Sequence, residues 1–330
     1  MPMWPLHLKR LLQFLLSIAA ILLSSLIEVR AQTYPNRAIR WVIPSSPGDG
    51  TDITGRLIAD KLSRALNQAI VIDNKPGAGG ILGSEIVAKS NPDGYTMIVG
   101  NAGSHGINPA IYHKLNYDPV KDFTPIALIC LAPNVMVINP KVPVKNVAEF
   151  IAYAKSQKTP LNYSSGGIGS SAHLSAELFK SATGIELLHI PYKGSSAAGM
   201  AVITNDVSVL IGNLPPLSSF IKSGSVNALA VTSLKRYKGM PNIPAMSETV
   251  PGFETIAWFG IFAPNGTPSS IIEKVNKEVN LILASPEIKA KLETLDCDVA
   301  PGSPESFAIR INNDVDRWKK LTAAKKISAD

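Results

Sequence analysis

Small polar residues gather at five places in the sequence, each directly after a short apolar run. They are PSSPGDGTD (44–52), GNAGSHG (100–106), YSSGGIGSSAH (163–173), PYKGSSAA (191–198) and GNLPP (212–216). Such loops act through backbone N–H groups and hydroxyls. Glycine lets the main chain approach a bound group, while serine, threonine and asparagine supply neutral donors. Several of the loops run straight into a predicted helix, whose free N–H groups and positive dipole end favour an anion. Any plain strand–helix turn uses these residues, but five of them together point to a cleft that grips a small anion.

Catalytic and nucleotide patterns do not account for these loops. GDGTDITGR lacks the GK[ST] ending of a phosphate-binding P-loop, and GGIGSS has no acidic residue at the position a dinucleotide site needs. Ser164, Ser165, Ser170 and Ser171 do not sit in GxSxG, the nucleophile elbow of hydrolases. His173 falls on the first turn of a predicted helix, the place of a cap neighbour or packing residue. His105 lies in a glycine loop and either touches a ligand or sits on the surface. Asp52 reads as a first-turn acid favoured by the helix dipole, and Asp49 has no clear partner carboxylate for acid–base work. Trp258 and Phe259 either cover a ligand or fill a hinge. No histidine spacing fits a metal, so neither a metal nor any other cofactor is expected.

These loops must be held by regular elements. Strands are predicted at 39–43, 69–72, 96–99, 187–190, 207–211 and 228–232, and helices at 53–66, 84–90, 147–156, 172–182, 271–283 and 304–324. In the first helix Ile53, Leu57, Ile58, Leu62, Ala65 and Leu66 share one face, with Asp60, Lys61 and Arg64 opposite. Helix stops are in place at Gly184 and Pro286. This rhythm predicts an α/β fold, rich in parallel strands with helices on both faces. In parallel sheets the loops at the carboxyl ends of strands line the ligand crevice. Two longer apolar stretches, 123–140 and 253–268, read as strands crossing between two lobes, the alternative being two edge strands of a single sheet. The expected division is a discontinuous first lobe, 32–132 with 256–330, and an inserted second lobe, 133–255.

The N-terminus is a separate matter. Lys9 and Arg10 precede the apolar run 11–26, and EVRAQ follows, so residues 1–31 are expected to be a signal peptide cleaved after Ala31. The run is short for a bilayer span. Cleavage would remove three basic residues and one acidic, taking the formal charge from +7 to +5. That excess is spread over many helices without a basic, aromatic-interleaved stripe, which argues against nucleic acid as a partner. Cys130 and Cys297 are the only cysteines. Export permits a disulfide, yet both lie within or beside apolar stretches, and two buried free thiols are the expectation.

One long collinear series of segments resembles a known family. YPNRAIRWVIPSSPGDGTDITGRLIADKLSRAL is similar to the start of the Bug-type receptors, the periplasmic solute-binding proteins of tripartite tricarboxylate transporters. VIDNKPGAGGILGSEIVAKSNPDGYTMIVGN, NPAIYHKLNYDPVKDFTPIALI, LNYSSGGIGSSAHLSAELFK, HIPYKGSSAA, GNLPP, ALAVTSLKR and WFGIFAPNGTP follow in the family's order. The resemblance covers essentially the whole chain after residue 31. It implies a two-lobed periplasmic-binding-protein fold of type II, and a carboxylate-bearing solute held in the cleft with ordered water helping to bridge it.

By the same resemblance the ligand contacts fall in four segments: Ser46, Pro47, Gly48, Thr51 and Asp52; Ala102, Gly103, Ser104 and His105; Ser164, Ser165, Gly167, Gly169 and Ser170; and Tyr192, Lys193 and Gly194. Two positions depart from the family pattern. The first loop usually reads PPGGGTD, whereas Asp49 stands here for a glycine, and GN at 212–213 replaces the usual DN. A carboxylate beside the pocket would repel an anion unless it faces solvent or pairs with a ligand amine. The expectation is therefore a monomeric, non-enzymatic receptor that hands a small carboxylate to the membrane subunits of a tripartite transporter. An exported α/β enzyme acting on a carboxylate or ester, and a receptor feeding a sensor protein, are the alternatives.

Overall fold

The alternation of apolar residues that marked the strands also decides which way each one faces. The computed structural model describes residues 34–325 and 327–329; the signal segment expected at 1–31 lies outside them. Strand β1 (Ile39–Ile43) pairs in parallel with β2 (Ile70–Asn74) and with β3 (Thr96–Asn101). Further along, β5 (Leu161–Ser165) pairs in parallel with β6 (Leu187–Pro191) and with β7 (Val209–Asn213). The two parallel groups are joined by the long apolar stretches. β4 (Phe123–Ile138) and β9 (Ile256–Pro264) run antiparallel to one another, giving the strand order β2-β1-β3-β9-β4-β7-β5-β6. At 16 residues, β4 spans roughly 50 Å. Its first part pairs with β9, and its last residues pair with β7 and with β8 (Asn227–Val231).

Period-2 patterning accounts for the helices on both faces of the second group. Met136 and Ile138 of β4, with Val209 and Ile211 of β7, point into one core. There they meet Phe150 of α4 (Val147–Ser156) and Phe179 of α5 (Ser171–Thr183). The intervening Val135, Val137 and Leu210 enter an opposite core. Its other walls are Ala198 and Val202 of α6 (Ser195–Ile203) and Leu214 and Leu217 of α7 (Leu214–Lys222). Gly199 lets α6 lie close on α7, since a β-carbon there would stand 2.8 Å from Leu217. In the first group, α1 (Gly50–Leu66) presents Gly55 to Ile43 and Val99. Val42, Ile98 and Phe262 face the opposite core, with Trp258 and Phe307.

The short helices α2 (Ile81–Ala88) and α3 (Asn108–Ile111) complete the first group. Its C-terminal elements are α8 (Ser269–Ala284), α9 (Pro286–Thr294), β10 (Asp298–Val299) and α10 (Pro304–Lys325). Gly184 closes α5 in the left-handed region, and Pro286 opens α9 behind its Ser285 cap. Strand β5 was not among the predicted strands because its LNYSS sequence buries hydroxyls instead of an apolar run.

The cysteines correct an expectation. Cys130 and Cys297 are a disulfide, not two free thiols, with Cα atoms 5.8 Å apart. β10 pairs antiparallel with β4, setting Val299 opposite Cys130 and Asp298 opposite Leu131, and this register brings Cys297 to its partner. Among the described residues no helix is long and apolar enough to cross a membrane.

Candidate functional site

Strand ends and helix starts meet around a cavity of about 510 Å³. Thr51 at the start of α1, Ser171 and Ala172 at the start of α5, Ser195 at the start of α6 and Asn213 at the cap of α7 all line it. Each helix begins there because a strand ends there. β1 delivers its chain from one parallel group, and β5, β6 and β7, which run the opposite way, deliver theirs from the other, so the carboxyl ends of both groups meet at the cavity. The cavity is thus ringed by helix starts and by hydroxyls, with Pro44, Pro76, Tyr112, Ile168, Pro191, Tyr192 and Phe259 as its apolar walls.

Buried polar contacts hold the first loop in shape. Asp52 Oδ2 accepts from the Gly48 N–H at 2.9 Å, and Oδ1 accepts from Arg56 Nε at 2.8 Å and Asn74 Nδ2 at 2.9 Å. Burial works to raise the Asp52 pKa, but these donors outweigh it and hold the carboxyl below its ordinary value. Asn101, at the end of β3, donates to Thr51 Oγ1 at 2.9 Å and accepts from the Ser104 N–H at 3.0 Å, tying two loops together.

Two sets of contacts span the cavity between the strand groups. On one side Ser195 N–H donates to Asp49 Oδ1 at 2.6 Å and Ser196 N–H to the same oxygen at 3.3 Å. Beside them Ser46 Oγ donates to the Lys193 carbonyl, and Ser196 Oγ to the Gly48 carbonyl, each at 3.0 Å. Gly194, at φ +105°, approaches so closely that a β-carbon would lie 2.9 Å from Asp49 Oδ2. On the other side Tyr112 Oη donates to the Ile168 carbonyl at 3.3 Å. Asp49 is 5% exposed, and burial pushes its carboxyl up to about 6 against the downward pull of the Ser195, Ser196 and Ser46 N–H groups. Asp49 and Lys193 are the charged side chains among the described lining residues.

The expected contact residues divide. Ser46, Thr51, Ala102, Gly103, Gly167, Ser170, Tyr192, Lys193 and Gly194 line the cavity, whereas Pro47, Gly48, Asp52, Ser104, His105, Ser164, Ser165 and Gly169 do not. His105 lies beneath the site, wholly buried, stacked on Phe262 at 4.1 Å and bonded through Nδ1 to Ser104 Oγ. Burial drives its pKa down to about 3, so the ring is neutral. Ser164 Oγ binds the Ala198 carbonyl and fastens α6 to β5. Ser165 Oγ and His189 Nε2 lie 2.6 Å apart, a serine–histidine pair of which neither member lines the cavity. His173 accepts from the Gly169 N–H and stacks on His189, and Ser170 caps α5. Trp258 is buried in the core and bonds Asp314, while its neighbour Phe259 reaches the cavity.

Residue-by-residue reading missed the loop Pro76–Gly80, together with Ser45, Asn101, Tyr112 and Ser171. The signal for the loop was present, since NKPGAGG follows a strand as the five chosen loops do. The Ser45 hydroxyl is buried without a hydrogen-bond partner, a free contact for a bound group or water.

Comparison with known proteins agrees with this architecture. The profile of the "Tripartite tricarboxylate transporter family receptor" family matches residues 54–327. Protein BugT of Bordetella pertussis is 32% identical over 88% of this chain and 90% of its own. Among solved structures, R. palustris Rpa4515 with adipate is 37% identical with a TM-score of 0.87, covering 89% of this chain and 99% of that one. MatC (Rpa3494) from Rhodopseudomonas palustris with bound malate is 32% identical with a TM-score of 0.84, covering 87% and 99%.

Proposed function

Since the chain belongs to the tripartite tricarboxylate transporter receptor family, we propose that it is an exported, periplasmic, monomeric receptor for a small carboxylate. It holds the solute unchanged and presents it to the membrane subunits of a tripartite transporter. The observation that carries this reading is the convergence of helix starts and small polar loops on one cavity, with no serine–histidine pair among its described lining residues. Backbone N–H groups at helix starts suit a carboxylate, and the solutes named for two related structures, adipate and malate, are carboxylates. The direct contacts are Ser46, Thr51, Gly167, Ser170, Tyr192 and Lys193, with Ala102, Gly103 and Gly194 contributing backbone.

Two lobes, one of residues up to 132 with 256–330 and the other of 133–255, close on the solute by bending where β4 and β9 pass between them. A hydrolase reading would need its nucleophile and base in the cavity, and Ser165 and His189 lie outside it. A thermal-shift screen of the purified protein against mono-, di- and tricarboxylates tests the assignment. A ligand supplied at a hundred times its Kd adds about 2.7 kcal/mol of stability. At least one carboxylate should raise the melting temperature by several degrees and be recovered chemically unchanged. Formation of a product, or no response to any carboxylate, would refute the proposal.

A further inference from the structure

Asp49 is a carboxylate already seated where an anion would be held. Its Oδ1 takes the first two N–H groups of α6, at 2.6 and 3.3 Å, and reaches them from the opposite side of the cavity. Gly194 leaves just enough room for it, and the flanking bonds from Ser46 to the Lys193 carbonyl and from Ser196 to the Gly48 carbonyl fix the same two loops together. Backbone N–H groups, and no lysine or arginine, are what face the carboxylate. The dipole end of α6 is therefore spent on an internal acid, and a guest anion placed there would lose those donors and meet a negative charge in a buried site.

We propose that Asp49 stands in for a second carboxylate of the guest, so that the cavity selects a singly charged carboxylate whose far end is uncharged. This rests on the carboxylate reading of the site given above. The guest's acid group goes to the starts of α1 and α5, at Thr51, Ser170 and Ser171, next to Asn213. Its tail points toward the Asp49–Ser195 contact, where Pro44, Pro191 and Tyr192 belong to the same two loops. Charge balance favours the same assignment, because the two charged side chains of the described lining, Asp49 and Lys193, sum to zero and leave no net positive charge for a second anionic group.

The test is titration calorimetry at pH 7.5 with two matched pairs of probes, hexanoate with adipate and benzoate with terephthalate. Members of a pair differ by one carboxylate on the same skeleton. Wild-type protein, Asp49→Gly and Asp49→Asn are compared after melting curves establish that each is folded. The wild type should bind a monocarboxylate at least tenfold more tightly than its dicarboxylate partner. Asp49→Gly frees the Ser195 and Ser196 N–H groups and should shift that ratio at least tenfold toward the dicarboxylate. Asp49→Asn removes the charge but keeps an acceptor, and should shift it less. A wild-type preference for the dicarboxylate, or a ratio that stays within threefold in both folded variants, overturns the proposal alone. Failure of every probe to bind any of the three proteins overturns the carboxylate reading, and this inference with it.

Discussion

Replacing Asp49 by asparagine should change how stability depends on pH, and the size of the change follows from the burial of this one carboxyl group. In the folded protein its pKa stands at about 6, above the ordinary 3.8, because burial penalises the charged form more than the N–H groups of Ser195, Ser196 and Ser46 repay. A carboxyl whose folded pKa is raised binds its proton more tightly in the native than in the unfolded state. The resulting stability is fully present below pH 3.8 and is lost as the pH rises through about 6. A shift of about two units corresponds to about 3 kcal/mol, at roughly 1.4 kcal/mol per unit. Melting entropy of about 2.1 cal/mol/K per residue over a chain of this size converts that to about 5 °C. Asparagine keeps an acceptor for the Ser195 N–H and cannot ionise. Melting temperatures of ligand-free wild type and Asp49→Asn, measured from pH 3.5 to 7.5, should therefore diverge by about 5 °C, the variant gaining on the wild type as the pH rises. Asp296 and Asp314 are also raised by burial, but they are common to both proteins and cancel in the difference. Parallel curves, or a variant that gains toward acid pH, would refute the assignment of a buried, desolvated carboxylate at the cavity wall.

Three further outcomes follow from the same contacts. Loss of the Cys130–Cys297 bond, by paired replacement with alanine, should cost about 2–4 kcal/mol and lower the melting temperature by several degrees, while reducing agent should leave the variant's curve unchanged. Gly194→Ala places a methyl group 2.9 Å from Asp49 Oδ2 on a backbone at φ +105°, so calorimetry should show carboxylate affinity falling at least tenfold, equivalent to about 1.4 kcal/mol. His105→Ala removes a ring stacked on Phe262 and edge-on to Phe123 beneath the site; it should lower stability by about 2–4 kcal/mol and leave the Kd of a bound carboxylate within threefold. A tenfold weaker Kd would instead return His105 to the ligand.

What the sequence could disclose divides along a physical line. Helix α4 was located to the residue because Asn146 supplies a cap, accepting from the Glu149 N–H, and Val147, Phe150 and Ala154 repeat on one face. Helix α6 escaped notice because SSAAGMAVI is small or apolar all round, with no polar face to mark it; it packs closely through Gly199 against Leu217 of the next helix. The Cys130–Cys297 bond likewise depends on the register of β10 against β4, which no local pattern encodes. The cavity-lining loops were legible where a strand hands polar residues to a helix, as at Ser46, Thr51 and Ser170. Choosing among neighbours in those loops was not, since Ser164 and Ser165 turn inward to Ala198 and His189 while Ser170 and Ser171 reach the cavity.

Asp49 shows most plainly why composition misjudges a site. As a lone acid in an anion-binding loop it reads as a source of repulsion, because its counterpart is invisible in the local sequence. That counterpart is not a cation but two N–H groups at the start of a helix, 146 and 147 residues further along the chain. Once the fold supplies them, they offset part of the cost of burying that charge, and its effect falls on what else the cavity can accept. A charge in a binding loop is therefore repulsive or selective according to which backbone dipole faces it, and that is settled only when the two halves of the chain meet.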